Sequence, residues 1–361
     1  MGWSLRLGEF AGTTVRMHLT FLLLIAWVAA LYWMRDGPAA ALDGVLFVVL
    51  VFACVVLHEY GHVLAARRYG IATKDITLLP IGGLASMERM PERPGQEIVV
   101  AVAGPLVNVA IAAILIVVLG ARFDLADAAG VHEASMSLAG RLAAVNLILV
   151  AFNAIPAFPM DGGRVLRALL AMRMDRVRAT RLAARIGQGF AAAFVFLGLL
   201  GNPLLILIGV FVWIAAAAES RQVEEVALAR GRLARDAMIR RFETLSPGAT
   251  ADDAARLLLA TTQQEFPVLG SDGAFLGVVT RKGLVDALSA SGPATPVTAF
   301  LDPEVPLVAE TEPLERVMEA LAKAPSKVVA VRDRAGALSG YVTLENLSEL
   351  FMLAGATGNA R

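Results

Sequence analysis

His58-Glu59-Tyr60-Gly61-His62 lies inside the long apolar run of residues 44–66. In a helix, residues four apart share one face at a spacing of about 6 Å, so both imidazoles can reach one Zn²⁺ while Glu59 stands beside it. A bound zinc would acidify a water molecule, and Glu59 would accept its proton and pass it to a leaving amine. The pattern therefore predicts a zinc hydrolase whose metal lies in a membrane helix.

Chance recurrence of so short a pattern is the alternative reading. Two observations favour the metal site. The chain has only four histidines, and polar groups in a hydrocarbon span are costly unless they have a function.

The composition is that of a membrane protein. The 361 residues are 57% hydrophobic and 18% charged, and the mean hydropathy is +0.66, which excludes an ordinary soluble enzyme. The formal net charge is zero, and nothing suggests binding of nucleic acid. Residues 1–18 lack the pattern of a signal peptide and are predicted to form a short extended segment at the membrane surface.

Six apolar segments are predicted to cross the bilayer: residues 19–34, 42–67, 98–119, 138–152, 186–200 and 203–218. Residues 76–90 are also apolar, but Pro80, Gly82 and Gly83 predict strands or a re-entrant loop there. The fourth span runs into residues 153–163, where two prolines and two glycines break the helix and expose irregular backbone.

Basic residues indicate the orientation. The loops after spans two, four and six carry Arg67, Arg68, Lys74, Arg89, Arg93, Arg164, Arg167, Arg173, Arg176, Arg178, Arg181, Arg221, Arg230, Arg232 and Arg235. The loops after spans one, three and five carry only Arg35 and Arg122. By the positive-inside rule, both termini are predicted to be cytoplasmic in the cell inner (plasma) membrane, with the zinc nearer the cytoplasmic face.

A zinc site needs a third protein ligand. His18 begins the first span and His132 lies in the loop on the opposite face, so both are poor candidates. Asp161 is the sole carboxylate of the broken region and faces the same half of the bilayer as His58 and His62. The alternative is that Asp161 only caps the helix beginning near Arg164.

The chain resembles the site-2 proteases, which are intramembrane zinc metalloproteases. The matching elements are His58-Glu59-Tyr60-Gly61-His62, Gly82-Gly83, Gly104-Pro105…Asn108 and Asn153…Pro156…Asp161-Gly162. The resemblance implies one zinc per chain, bound by His58, His62 and Asp161, with Glu59 as general base and acid. It also implies that Asn153 helps to hold the substrate carbonyl or oxyanion.

The resemblance further implies a substrate class. Substrates would be single-span membrane proteins cut near the cytoplasmic end of the span, such as membrane-bound anti-sigma factors or transcription-factor precursors. A spanning helix must unwind before a carbonyl is accessible, and the segment around Gly82-Gly83 would offer it a strand edge. This process is regulated intramembrane proteolysis.

The last third of the chain contains a repeat. Gly273…Gly277-Val278-Val279-Thr280 recurs as Gly336…Gly340-Tyr341-Val342-Thr343, an offset of 63 residues (340 − 277). Each copy is predicted as helix, strand, glycine turn, strand and helix, a unit that needs its twin to bury its sheet. The repeat resembles a tandem pair of CBS (cystathionine-β-synthase) domains, which often sense adenosine nucleotides and often form homodimers.

In CBS domains, the pattern Gly-x-x-Thr-x-x-Asp supplies an aspartate to a ribose. Here the aspartate positions hold Gly283 and Asn346, while Thr280 and Thr343 remain as possible nucleotide contacts. Glycine offers no acceptor and asparagine lacks the charge that strengthens such bonds. We therefore expect weak nucleotide binding and a pair that works mainly in dimerisation and substrate docking.

The predicted fold is a polytopic α-helical membrane domain of six spans with a short re-entrant or β segment, followed by a cytosolic α/β tandem CBS domain. The predicted bounds are 1–218 for the protease, 219–237 for a charged helical linker and 238–353 for the pair, divided into 238–290 and 297–353. Two other functions are possible in principle: a CBS-gated transporter or channel that uses the histidines as a metal site, and an inactive scaffold. The transporter would not require Glu59 between the two histidines, and the scaffold is disfavoured because every catalytic position is present.

Overall fold

The computed structural model describes residues 4–10, 12–80, 82–87, 90–121 and 137–358. The chain divides into two compact units, Met1–Arg221 and Gln222–Arg361. The first contains the apolar segments and the metal-binding pattern, and the second contains the repeat. Arg89, Arg122 and His132, which entered the predictions above, lie outside the described residues. The finer domain bounds stay a prediction.

Long apolar helices dominate the first unit. Five helices in the described residues are long and apolar enough to cross a membrane. They are α1 (Leu19–Asp36), α2 (Pro38–Arg67), α3 (Pro94–Ala113, continued by a π-helical turn at Ile114–Val118), α6 (Arg176–Leu199) and α7 (Pro203–Ala229). The fourth predicted span is α4 (Leu138–Asn153), which has only 16 residues. The short helix α5 (Asp161–Ala171) follows it. The membrane domain is therefore supported, while the count of six spans stays a prediction.

The first unit also contains a four-stranded sheet. Its strands are β1 (Ser4–Phe10), β2 (Thr13–His18), β3 (Thr73–Leu79) and β4 (Gly82–Met87), in the order β1-β2-β3-β4. β2 and β3 are parallel, and the other two pairs are antiparallel. β1 and β2 lie within residues 1–18, where the sequence predicted an extended segment, and β3 and β4 lie largely within residues 76–90, where it predicted strands or a re-entrant loop. β4 is an edge strand within the described residues. Whether the sheet enters the bilayer stays a prediction.

α5 is anchored by a buried ion pair. Arg167 and Glu97 are each 1% exposed, and the Arg167 guanidinium contacts a Glu97 carboxylate oxygen at 2.6 Å. Arg176 at the start of α6 contacts the other Glu97 oxygen at 3.2 Å, and Glu219 on α7 pairs with Arg167. Because an unpaired buried charge is strongly destabilising, this cluster holds α5 against α3, α6 and α7.

The second unit contains two copies of one motif. The first copy is α9 (Ala251–Ala260), β5 (Glu265–Leu269), β6 (Phe275–Thr280) and α10 (Arg281–Ser291). The second is β7 (Leu307–Ala309), α11 (Leu314–Lys323), β8 (Val328–Arg332), β9 (Leu338–Thr343) and α12 (Leu344–Gly358). Gly273 and Gly336, 63 residues apart, turn the two hairpins with φ of 79° and 90°. The predicted order of elements is therefore present in both copies.

The two copies share part of their core. Val278 of β6 packs in one buried cluster with Val328 and Ala330 of β8 and Tyr341 of β9. Each copy thus covers its sheet partly with residues of the other, as expected of a motif that cannot bury its own apolar face. The predicted linker at 219–237 is helical to Ala229 as a continuation of α7. A turn at Gly231 and the short helix α8 (Ala234–Ala237) follow.

Candidate metal centre

α2 presents both predicted histidines on one face. His58 and His62 are 8% and 3% exposed, and their Nε2 atoms lie 3.1 Å apart. This proximity follows from the spacing of four residues in a continuous helix. Gly61, between them, lets α3 approach closely, since a Cβ there would lie 2.6 Å from the carbonyl oxygen of Ala103.

α5 brings the predicted carboxylate to the same point. Asp161 Oδ2 lies 3.3 Å from His58 Nε2 and 3.2 Å from His62 Nε2, and Asp161 is buried. Gly162 and Gly163 make this approach possible. A Cβ at Gly162 would lie 2.4 Å from the Ile155 carbonyl oxygen, so the first turn of α5 packs directly on the broken segment.

The alternative role of Asp161 as a helix cap is wrong. α5 begins at Asp161 itself, its N-cap is Met160, and the cap makes no side-chain hydrogen bond. Asp161 Oδ2 is buried and has no hydrogen-bond partner within the described residues. An orphaned buried carboxylate oxygen is costly, so its position between two imidazoles requires a further partner.

The hydrogen bonds of the imidazoles show what that partner must be. His62 Nδ1 lies 2.7 Å from the Val100 carbonyl oxygen, and His58 Nδ1 lies 2.7 Å from Asn108 Oδ1. Each Nδ1 therefore donates, and in the neutral ring each Nε2 has a lone pair. Two imidazole nitrogens and one carboxylate oxygen converge as three acceptors, a donor set that fits Zn²⁺.

α3 leaves space where these atoms point. A Cβ at Gly104 would lie 2.3 Å from His62 Nε2 and 2.7 Å from His58 Nε2. Any larger residue at this position would therefore fill the space between the ligand atoms. The residues present fit a bound zinc ion, and the fit depends on a glycine of a third element.

The three ligand residues lie in the wall of a cavity of about 420 Å³. Glu59 and Asn153 line it together with the three ligand residues, and the glycines Gly82 and Gly83 of β4 form part of its wall. Asn153 Nδ2 donates to the Leu149 carbonyl oxygen at 3.0 Å. That bond uses one of its two amide hydrogens, so a second remains for a ligand in the cavity.

The structure thus brings together His58, Glu59, His62, Asn153 and Asp161. It also reveals residues that the sequence did not single out for a role at the metal: Gly104, Asn108, Asn146 and Arg164. Arg164 lines the cavity, and its guanidinium lies 4.0 Å from Asp161 Oδ1. Asn108 and Asn146 are fully buried in apolar helices. Because an amide in such a helix is costly, its presence in an apolar run was the sequence signal that could have identified both residues.

The predicted nucleotide contacts lie in the second unit. Thr280 Oγ1 accepts from the Gly283 amide, and Thr343 Oγ1 accepts from the Asn346 amide, so both threonines cap the helices that follow. Asn346 Oδ1 is buried and without a hydrogen-bond partner within the described residues. Burial raises the pKa of Glu265, and the carboxylate of Glu345 raises it further. The side chains of Glu265 and Glu345 therefore lie close enough to interact, although they belong to different copies of the repeat.

Comparison with known proteins identifies the family. Residues 46–197 match Peptidase family M50, and residues 234–290 match the CBS domain. A zinc metalloprotease of Methanocaldococcus jannaschii is 35% identical over 280 residues, which cover 77% of this chain and 78% of that relative. The chain belongs to peptidase family M50, the site-2 proteases. All five residues brought together at the centre fall within the matched range.

This M50 protease has further relatives. The protein Rip3 of Mycobacterium tuberculosis is 31% identical over 369 residues, which cover 96% of this chain and 92% of Rip3. The solved site-2 protease from Methanocaldococcus jannaschii is 37% identical, with a TM-score of 0.45, and the match covers 61% of this chain and 96% of that one. The predicted resemblance and enzyme class are confirmed: the chain is a zinc metalloprotease with a CBS domain.

Proposed function

We propose that this protein is an intramembrane zinc endopeptidase that cuts single-span substrates within or near the cytoplasmic end of the span. The observation that carries the proposal is the convergence of three acceptor atoms, from His58, His62 and Asp161, in a cavity that also contains Glu59. This cavity lies among helices apolar enough to cross a membrane. A peptide bond would therefore be cut at membrane depth.

His58, His62 and Asp161 are the proposed metal ligands, and Glu59 and Asn153 the proposed catalytic residues. Zinc, when bound, supplies a Lewis acid that polarises a carbonyl and acidifies a water molecule. Glu59 accepts the proton of the attacking water and delivers it to the leaving amine nitrogen. Asn153 donates its remaining amide hydrogen to the oxygen of the tetrahedral intermediate, where negative charge develops.

β4 is the proposed docking edge for the unwound substrate. The strand passes very close to the general base, since a Cβ at Gly83 would lie 2.9 Å from Glu59 Cγ. A substrate strand paired with β4 would thus bring its carbonyls to Glu59 while its backbone groups gain hydrogen bonds in place of those of its helix. Substrates with weak helix formers near the cytoplasmic end of the span should be preferred, as in regulated intramembrane proteolysis.

The metal assignment predicts metal content. Purified protein is expected to carry one zinc per chain, measured by elemental analysis after dialysis against a weak chelator. His58→Ala, His62→Ala and Asp161→Ala should each lower occupancy, because each removes one of three protein ligands. Phe211→Ala, which changes another residue of the cavity wall, is the control and should retain the metal. Unchanged zinc in the Asp161 variant would remove that residue as a ligand.

The orientation is proposed from the basic loops. Reporter fusions after residues 75, 175 and 235 should report cytoplasm, and fusions near residues 37 and 128 should report the opposite face, because basic loops stay inside. Each position should be tested with two reporters, one active only in the cytoplasm and one only outside it. A fusion at 235 active on the outer face would contradict both the proposed topology and a cytoplasmic CBS pair.

The CBS pair is proposed to act mainly in homodimerisation and substrate docking, with weak nucleotide binding. Calorimetric titration of the full chain with ATP, ADP and AMP should give affinities weaker than micromolar, because neither aspartate position holds an aspartate. Asn346→Asp is the matched variant and should tighten binding, since a charged acceptor forms about twice as strong a hydrogen bond. Micromolar or tighter binding by the unsubstituted protein would contradict the proposal.

A further inference from the structure

Two buried asparagines link the metal centre to α4. Asn108 of α3 and Asn146 of α4 are both 0% exposed, and each lies within an otherwise apolar helix. A buried amide costs free energy unless its groups are hydrogen-bonded. Neither residue lines the cavity in which the substrate would bind. The free-energy cost of burying these two amides must therefore be offset by interactions other than contact with the substrate.

The two side chains form a continuous chain of hydrogen bonds that ends at His58. Asn146 Nδ2 donates to the Leu142 carbonyl oxygen at 2.8 Å. Asn108 Nδ2 donates to Asn146 Oδ1 at 3.1 Å, and Asn108 Oδ1 lies 2.7 Å from His58 Nδ1. Each asparagine uses its amide nitrogen on one side and its oxygen on the other.

The donor-to-acceptor direction of these hydrogen bonds is set at the Leu142 end. The Leu142 carbonyl can only accept, so Asn146 must face it with its nitrogen and turn its oxygen to Asn108. Asn108 must then donate to that oxygen and present its own oxygen to the imidazole. His58 can hydrogen-bond to that oxygen only if its Nδ1 carries the proton. The lone pair of the neutral ring then lies on Nε2, which faces Asp161.

His62 shows why the second asparagine is needed. Its Nδ1 donates directly to the Val100 carbonyl oxygen, an acceptor that cannot be reversed. The Nδ1 atom of His58 instead contacts the side-chain amide of Asn108, which can rotate to place either its oxygen or its nitrogen there. Without a fixed neighbour, Asn108 could turn and offer its NH₂ to the ring. The His58 proton would then move to Nε2, where a metal must bind.

We propose that Asn146 is a positioning residue for the metal centre: acting through Asn108, it holds His58 in the tautomer whose Nε2 can ligate. This inference rests on the proposed role of His58 as a ligand. Asn146 contacts neither the ligand atoms nor the substrate cavity. Residues that hydrogen-bond to a metal-ligating histidine typically contribute about 10–100-fold to metal affinity.

The test compares metal affinities of the full chain in detergent. Asn146→Leu should weaken Zn²⁺ binding by about 10–100-fold, measured by competition with a chromophoric chelator. The visible absorption of the Co²⁺-loaded protein should change as well, because it reports the ligands and their geometry. Asn202→Leu, the same replacement at the exposed residue before α7, is the matched control: it removes a hydrogen bond from the Leu204 amide, but Asn202 does not line the cavity, so both readouts should stay unchanged.

Asn108→Asp separates tautomer control from packing. An ionised carboxylate only accepts, so Asp at this position accepts a hydrogen bond from His58 Nδ1–H whatever its neighbour is. In that background, Asn146→Leu should cost less than about threefold in Zn²⁺ affinity, well below the loss in the unsubstituted protein. Asn108→Leu removes the acceptor of the His58 Nδ1–H hydrogen bond. If the Asn146→Leu protein cannot be purified, this variant tests by a second route whether that hydrogen bond supports zinc binding.

The outcomes are distinct. Unchanged Zn²⁺ affinity and Co²⁺ spectrum in Asn146→Leu, or in Asn108→Leu if only that variant accumulates, would overturn the inference. An equal loss in the Asn108→Asp background would overturn it too, because Asn146 would then act through packing. Failure of the unsubstituted protein to bind zinc would contradict the proposed function, and the role of Asn146 with it.

Discussion

Glu59→Gln is expected to abolish peptide cleavage and leave the zinc content unchanged. Glutamine has the same shape as glutamate but cannot accept a proton from water, and general acid–base catalysis typically contributes about 10²–10⁴ in rate. The carboxylate is not among the converging ligand atoms, so the metal should stay. Cleavage of a co-expressed single-span reporter, followed by gel mobility, and elemental analysis of the same preparation are the measurements.

Glu9→Gln is the control for this prediction. Glu9 lies exposed on β1, pairs only with Arg6 within the described residues and does not line the cavity. Its variant should cleave the reporter at the normal rate. Full cleavage by Glu59→Gln would contradict the proposed mechanism and would mean that another group moves the proton.

Gly104→Ala is expected to remove both zinc binding and cleavage. The new methyl group would lie 2.3 Å from His62 Nε2, inside the space toward which the ligand atoms point. The neighbouring atoms are the imidazoles themselves, so they can relieve the contact only by leaving the ligating geometry. Zinc occupancy should fall at least as far as in the variants of the ligands, although no ligand has been changed.

Gly95→Ala is the matched control on the same helix. A Cβ at Gly95 meets nothing within 4 Å, so this variant should bind zinc and cleave the reporter normally. A Gly104→Ala protein that keeps its zinc would show that the metal does not lie between the two Nε2 atoms. The fit argued for the centre would then be wrong.

The proposed nucleotide site depends on contacts that the repeat pattern does not show. The sequence identified Thr280 and Thr343 from their place in the repeat, and the structure shows that both hydroxyls cap helices. The raised pKa of Glu265 arises from burial and from Glu345, which belongs to the other copy of the repeat. That proximity could not be read from the repeat alone, since the two residues are far apart in the chain.

The sequence alone was sufficient for features that depend on neighbours along the chain. The pairing of His58 and His62 follows from helical periodicity, the long apolar helices from apolar runs, and the second unit from a repeat at constant offset. Asp161 could also be chosen, because it was the sole carboxylate in a segment that proline and glycine break. Each of these signals lies within a few turns of chain.

Only the tertiary structure showed which distant groups complete the centre. Gly104 lies over the ligand atoms because α3 packs against α2, β4 covers Glu59, and the direction of the His58 hydrogen bond is set by Leu142 on α4. These contacts join residues about 24 to 84 positions apart in the chain. Side-chain packing between separate helices and strands has no period in the sequence, so the supporting groups of the metal centre emerge only when those elements meet.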